Sequence, residues 1–430
     1  MRPTPKRRAL PLLWIDLRCS LICYAAVSAA LPIAFISSAK ILLVLCALVV
    51  LTGGWLSAGT PAQAPRGLTT PVILVALALM AASGLWSTGS ADDFLNAMVK
   101  HGKLILLPVV LCLIRSRREA LMALGYFVAG QAFLLLSTWL MFLGFSLPWA
   151  ISDEAGKSYA VFSSYLDQSV MTAVFAAVCW HLRALLPTRW RNIAAASVCA
   201  LALIAVFFVF QGRTGFAVAI ALLSLAIVWE LPKRFRMPVV LVPVLLLMIL
   251  SASSARVRTG LSEIIGSIAS YSSTVDIGTS SAVRIELWRQ SIRSVEESPW
   301  HGTGAGSWDH EFMRQQMLEY PSTLFNRAST RYRNPHQEYL LWGVELGLPG
   351  IALLGTLLAA LYRDSLGMAV AERRAMQSTV LALALASAFN CALYDALIGD
   401  FFCIALPLIG ALGRYRPGRW PEAATPHAIH

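Results

Sequence analysis

Three side chains in this sequence have the chemistry to hold an anion and to remove a proton. Arg213 lies in Gln211-Gly212-Arg213-Thr214-Gly215, with no acid within four residues of it. A guanidinium fork binds phosphate oxygens in bidentate fashion, and the glycines allow a tight turn. The competing reading is an anchor that snorkels to the membrane interface, which would not need two flanking glycines. Arg284 lies in a stretch that reads as a helix over about 281–296, with Trp288 on the same face. Arg289 has Glu286 at i−3 and Arg293 has Glu297 at i+4, whereas Arg284 has no acid at i±3 or i±4. Its charge is the one left for an anionic ligand. His336 lies in Arg333-Asn334-Pro335-His336-Gln337-Glu338, where Pro335 suits a first helical turn and Asn334 an N-cap. That start would put His336 at the mouth of a membrane span, on the face of Leu340, Gly343, Gly347 and Gly350, whose glycines admit a neighbouring helix. A lone interfacial histidine is usually structural. Beside arginines suited to phosphate, it becomes a base for transfer from a lipid-linked diphosphate.

Weaker candidates accompany these. His301-Gly302-Thr303-Gly304-Ala305-Gly306 could turn backbone amides toward phosphate. No strand precedes it, so neither a Walker nor a dinucleotide loop is implied, and a plain turn is the alternative. Asp92, Asp93, His101 and Lys103 fall between two apolar runs, and Asp395 and Asp400 between two others. Most of these read as solvated turn residues, with Lys103 as a further phosphate ligand and Asp395 orienting a base or an arginine. No paired-carboxylate spacing calls for a metal, and no cofactor motif is present in the sequence.

The elements that must position these groups are membrane helices. Of 430 residues, 57% are hydrophobic and 13% charged, far from the quarter charged of soluble domains. A soluble enzyme, a disordered tail and a disulfide-stapled domain are excluded. At about 20 residues per span, the apolar runs give twelve: 14–37, 41–57, 71–87, 98–114, 120–143, 168–186, 193–210, 215–231, 237–251, 336–361, 376–394 and 400–413. Basic clusters at 2–8, 115–118, 183–191, 233–236, 363–374 and 414–419 fall on one side of this map, against Lys40, Lys100, Lys103, Lys157 and Arg213 in the short turns of the other. The positive-inside rule makes the first side cytoplasmic. The net charge of +12 is then mostly topology and contact with membrane lipids, and it implies no nucleic acid. The run Arg2, Lys6, Arg7, Arg8 reads as a retained anchor. The chain divides into residues 1–251 with the first nine spans, an external loop over 252–335, three more spans over 336–413, and a cytoplasmic tail at 414–430. The loop carries many arginines and acids, so a solvated, salt-bridged lid is the plain reading for any one of them. The eight cysteines all fall in apolar spans, as small buried hydrophobes.

A dozen spans, Gly212-Arg213-Thr214-Gly215, Arg284 four residues before Trp288, a glycine-rich stretch, and Asn334-Pro335-His336-Gln337-Glu338-Tyr339-Leu340 together resemble the O-antigen ligase and polymerase superfamily. The likeness covers nearly the whole chain in topology and about residues 205–350 in motif. Ligases often have Asn where this chain has Gln337. The resemblance implies an all-α, polytopic, GT-C-like membrane glycosyltransferase of the bacterial inner membrane. It would move O-antigen polysaccharide from undecaprenyl diphosphate to lipid A-core on the periplasmic side, with both termini cytoplasmic. It makes His336 the base and Arg213 and Arg284 the diphosphate ligands, and it brings Glu338 and His301 in as lesser site candidates beside Lys103 and Asp395. No cofactor is implied. The alternatives are an O-antigen polymerase, a protein O-oligosaccharyltransferase and, from another class, a twelve-span secondary transporter.

Overall fold

The structure is a computed structural model that describes residues 9–56, 67–153, 155–186, 189–210, 212–232, 280–319 and 333–415, with 243, 245, 248 and 262 singly. The expected ninth span, most of the loop before residue 280, Gln211, Arg327, Arg331, and the basic run at 2–8 lie outside the described residues. Among the described residues there are helices and no strands. In order they are α1 (Ala9–Ser28), α2 (Ile33–Leu56), α3 (Thr69–Ala82), α4 (Ala91–Gly102), α5 (Leu106–Leu113), α6 (Arg117–Phe142), the single turn α7 (Ala155–Ser158), α8 (Tyr165–His181), α9 (Arg191–Ile204), α10 (Arg213–Glu230), α11 (Ser280–Glu297), α12 (Trp308–Glu319), α13 (Glu338–Leu346), α14 (Leu348–Ser365), α15 (Val370–Phe389) and α16 (Ala396–Arg414).

Several starts are written locally. Ser90, Ser116 and Ser164 each cap a helix by accepting the backbone N–H of an acid three residues on, Asp93, Glu119 and Asp167. A serine oxygen thus satisfies an orphan amide, and the acid meets the positive end of the helix. Among the described residues six helices are long and apolar enough to cross a membrane, and Leu17–Ser28 and Thr69–Leu85 are shorter apolar helices. Ile41, Leu45, Leu48 and Leu51 of α2 are exposed at helical spacing, an arrangement that needs an apolar solvent.

The boundaries differ from the sequence expectation in three places. The first helix ends at Ser28 and a second starts after Pro32, which breaks the run expected over 14–37. Residues 91–102 are helix continuous with α5, not a turn, so the fourth apolar helix starts at Ala91 instead of 98. The tenth begins at Glu338 and breaks at Gly347, whose φ of 72° only glycine adopts readily. Gly350 packs against the Trp342 carbonyl across that break and Gly343 against Val295 of α11, so these glycines do not form a seam for a neighbouring span.

The helices define two ends. At one, Glu230 at the end of α10 pairs with Arg183 at 3.1 Å and with Arg374 of α15 at 3.5 Å, and Arg117 pairs with Glu372 at 3.0 Å. At the other lie Arg213, the first residue of α10, and Asn390, which ends α15. Eighteen residues in α10 span about 27 Å, close to the thickness of a bilayer core. On this second end α11 and α12 form a cap over α13, with Leu287, Val295, Trp308, Phe312, Leu341 and Val344 as its core.

Gly212 has φ of −79°, so its role is not a left-handed turn. A Cβ at Gly212 would meet Ser169 Oγ at 2.6 Å, and one at Gly215 would meet Ser169 Oγ at 2.1 Å and Cβ at 2.5 Å. The glycines let the start of α10, and with it Arg213, close onto α8. Gly212→Ala is expected to lower the melting temperature in detergent, by an overpacking cost of about 1–3 kcal/mol, and the double change with Ser169→Ala to restore it. Gly215→Ala should remain destabilised beside Ser169→Ala, and equal rescue of both would contradict this packing.

Candidate active site

His336 is held in a turn of its own. Asn334 Oδ1 accepts the His336 N–H at 3.0 Å, an Asx turn, and Pro335 fixes the residue between them. His336 itself adopts φ of 50°, a left-handed conformation that costs a non-glycine residue on the order of 1–3 kcal/mol. Gln337, not Asn334, caps the following helix, through Leu340 N. The expected N-cap at Asn334 and first turn at Pro335 are therefore corrected: the asparagine folds the turn that aims the histidine, and the helix starts two residues beyond it. Gln337 gains a definite part as the cap.

Two neighbouring elements fix the ring and the cations. Trp288 Nε1 donates to the Pro335 carbonyl at 3.1 Å, so the helix carrying Arg284 is clipped to the His336 turn one helical turn from the arginine. Asn390 Nδ2 donates to Asp167 Oδ1 at 3.2 Å, and Asn390 Oδ1 faces His336 Nδ1 at 3.4 Å. A carboxylate only accepts, so the Asn390 amide must turn its NH2 to Asp167 and its oxygen to the histidine. The oxygen only accepts in turn. His336 Nδ1 therefore carries the proton, and Nε2 presents a lone pair. Burial pushes the imidazole pKa below its ordinary 6.5; the Asn390 hydrogen bond and Asp395 oppose this, and Arg284 adds to it. The ring is neutral at pH 7 and ready to accept a proton.

Arg213 and Arg284 come together. Burial lowers the Arg284 guanidinium from its usual range; Tyr165 opposes this, and the like charge of Arg213 reinforces it. Two cations with like charge and a half-buried setting favour an anion between them. Arg284 forms no ion pair among the described residues, whereas Arg289 is bound to Glu286 at 2.8 Å as its spacing implies. Glu297 is engaged by Arg314 and by Gln315 at 2.8 Å, and Arg293 acts on the same carboxylate, as its spacing implies.

The lesser candidates separate. Asp395 accepts from Asn334 Nδ2 at 2.9 Å, so it orients the His336 turn and not the ring directly. Burial raises its carboxyl pKa, with His336, Lys103 and Lys100 opposing. Lys103 is buried and donates to the carbonyls of Asp395, Tyr394 and Ala396 at 2.6, 3.2 and 3.5 Å. Its donors are taken, and it braces the turn before α16 in place of the solvated, phosphate-facing position expected. His101, also expected in a solvated turn, is buried against Glu345 at 2.8 Å. Asp400, expected in a solvated turn too, is buried and bound by Lys40 at 2.8 Å. Glu338 is fully buried and accepts Leu393 N at 2.9 Å, Tyr394 N at 3.2 Å and Trp342 Nε1 at 3.0 Å, an anchor beneath the site.

The glycine-rich stretch is no phosphate cradle. The amides of Gly302, Thr303, Gly304, Ala305 and Gly306 donate to Ser298 O, Val344 O, Glu345 O, Ser83 Oγ and Glu345 Oε1. Gly302, Gly304 and Gly306 all have positive φ and touch backbone of other segments, so the stretch is a close-packed strap. His301, at its head, is exposed and folds back on the Gly302 carbonyl at 2.7 Å, edge-on to Trp86. Among the described residues no three His, Cys, Asp or Glu side chains converge as metal ligands would.

Asn390, Asp167 and Tyr165 escaped the sequence reading. Asn390 is hidden inside the apolar run expected over 376–394. Its signal is a carboxamide near the end of that run, which holds one other, Gln377.

An arginine pair lies near a histidine whose Nδ1 is turned to Asn390, at one end of a bundle of membrane helices, an arrangement with the chemistry to hold an anion and accept a proton. Residues 198–355 match the family model described as O-Antigen ligase. This stretch takes in Arg213, Arg284 and His336, and over it the resemblance read from the motifs holds. The family covers O-antigen ligases and related polymerases, which are glycosyltransferase-like enzymes. No curated protein matches the chain.

Nitrogen-15 NMR of histidine-labelled protein should find His336 as the Nδ1–H tautomer with a midpoint below 6.5. Asn390→Ala removes the contribution that raises the pKa, so the midpoint should fall further and the tautomer preference vanish. An Nε2–H tautomer, or a midpoint above 6.5, would contradict the geometry.

Proposed function

We propose that the protein is an O-antigen ligase, transferring polysaccharide from undecaprenyl diphosphate to lipid A-core oligosaccharide by single inverting displacement. The observation that carries this reading is the juxtaposition of a neutral histidine, held with Nε2 available, and the Arg213–Arg284 pair. The acceptor hydroxyl oxygen attacks the anomeric carbon and its proton passes to His336 Nε2. The bond from that carbon to the diphosphate oxygen breaks, and the electron pair leaves with undecaprenyl diphosphate. The arginines meet the charge that grows on the leaving oxygens. A diphosphate already carries its charge, so the step uses no metal or nucleotide.

The same reading takes a GT-C-like fold of twelve spans in the inner membrane, an external loop over 252–335, cytoplasmic termini and a periplasmic site. The basic end with Arg117, Arg183 and Arg374 supports that orientation through the positive-inside rule. A transporter would carry its unusual charges at mid-membrane, whereas His101, Lys103 and Asp400 gather around the turns at the His336 end. An O-antigen polymerase or a protein O-oligosaccharyltransferase would share the donor and differ in acceptor.

His336→Ala should lower transfer by at least about a hundredfold, the lower range for a general base, while undecaprenyl diphosphate binding persists; normal transfer would end the base assignment. Arg284→Lys should also be damaging, because a point charge does not replace a bidentate fork. Activity should survive EDTA. Deleting the gene separates the readings on a lipopolysaccharide gel. Loss of the ladder with accumulated lipid-linked polymer supports the ligase, and a core bearing a single repeat supports the polymerase instead.

A further inference from the structure

A second group of cations lies at the Asp395 end of the His336 network. Lys100 of α4 places Nζ 4.1 Å from the centre of the Tyr394 ring. The next residue, Asp395, is bonded to Asn334, and Arg333 directly precedes Asn334. Lys100 and Arg333 therefore converge on the Asn334–Asp395 junction, and each lies in the other's field. The carboxylate acting on Lys100 is Asp395, which is already shared with Asn334, Lys103 and His336. Among the described residues neither Lys100 nor Arg333 forms an ion pair or a hydrogen bond. Arg333 is exposed and Lys100 is half-buried, so the pair is open to a bulky ligand.

The order of neighbours separates this group from the first. Arg284 acts on His336 and is acted on by Arg213; Asp395 acts on His336 and on Lys100. His336 thus feels Arg284 directly and shares Asp395 with Lys100. A single displacement needs two substrates at the base, and the diphosphate occupies only the arginine pair. An arginine fork and a lysine point charge together suit a phosphate group.

We infer that Lys100 and Arg333 form a second anion subsite, which binds a phosphate group carried by the acceptor sugar near the hydroxyl that reacts. This rests on the proposed transfer to a glycolipid acceptor. A phosphate of a neighbouring lipid headgroup has the same chemistry and must be told apart. The subsite gives the enzyme a way to choose its acceptor by charge and to hold it apart from the diphosphate.

The test uses the full chain with His336→Ala, in nanodiscs of phosphatidylcholine, and measures binding of lipid A-core with its phosphates intact and with them removed. Intact lipid A-core should bind more tightly. Lys100→Gln with Arg333→Gln should weaken it about tenfold or more and leave the dephosphorylated form and undecaprenyl diphosphate unchanged; Lys100→Arg should retain most of the binding. No change on substitution, or equal weakening of both acceptor forms, would overturn the subsite. So would phosphatidylglycerol competing at these residues while acceptor phosphate has no effect. Transfer is measured in parallel with the unsubstituted protein. Absence of transfer with retained, phosphate-dependent binding at Lys100 and Arg333 would reject the ligase reading and keep the subsite.

Discussion

The arrangement around His336 hangs on the buried carboxylate of Glu338. A charge without exposed surface must be met by hydrogen bonds, because its desolvation is otherwise uncompensated. Glu338 meets this with the indole of Trp342 on its own helix and the amides of Leu393 and Tyr394 on the turn that follows α15. It lies two residues beyond His336, and the turn it grips runs from Asn390 to Asp395. One side chain thus fixes the segment that presents the base against the segment that sets its tautomer. Asn334 and Asp395 close the same junction from above.

Buried charges elsewhere at this end have the same architectural use. Glu345 takes the Gly306 amide on one oxygen and His101 on the other, while its own carbonyl takes Gly304, so the cap is strapped to α13 and α4 at once. Lys103 gathers three carbonyls at the start of α16, and Lys40 pairs with Asp400 one turn further on. The cations proposed to meet substrate are Arg284 on the cap helix, Arg213 at the start of α10, and Lys100 and Arg333 beside Tyr394 and Asp395. A rigid, internally paired support beneath a cationic ledge is what an enzyme that positions two large lipid-linked substrates requires.

The helical membrane character was legible in the sequence, and the three leading candidates were chosen there, because both rest on local signals. Apolar runs declare spans, and an arginine without a nearby acid stands out by spacing alone. What was not legible depends on distant partners. Asn334 ahead of Pro335 satisfies an N-cap and an Asx turn equally well, since both have an asparagine oxygen accept an amide two or three residues on; Trp288 and Asp395 decide between them. The glycines at 302–306 looked like a loop with amides to spare, and Ser83, Val344 and Glu345 take those amides from far along the chain. Asn390 was concealed because the ends of an apolar run do not show which polar residue inside it reaches the membrane surface. Lys103 and His101 were placed in a turn that helix α4 fills, since two acids after Ser90 read as solvated turn and as helix start alike.

The central claim is that the diphosphate sits between Arg213 and Arg284 with the anomeric carbon facing His336. An electron cryomicroscopy structure of the chain bearing His336→Ala, bound to an undecaprenyl-diphosphate-linked saccharide, tests this most directly. The expected density places the two phosphates against both guanidinium groups and the first sugar beside residue 336. Phosphates bound elsewhere, with Arg213 and Arg284 turned away from them, would contradict it.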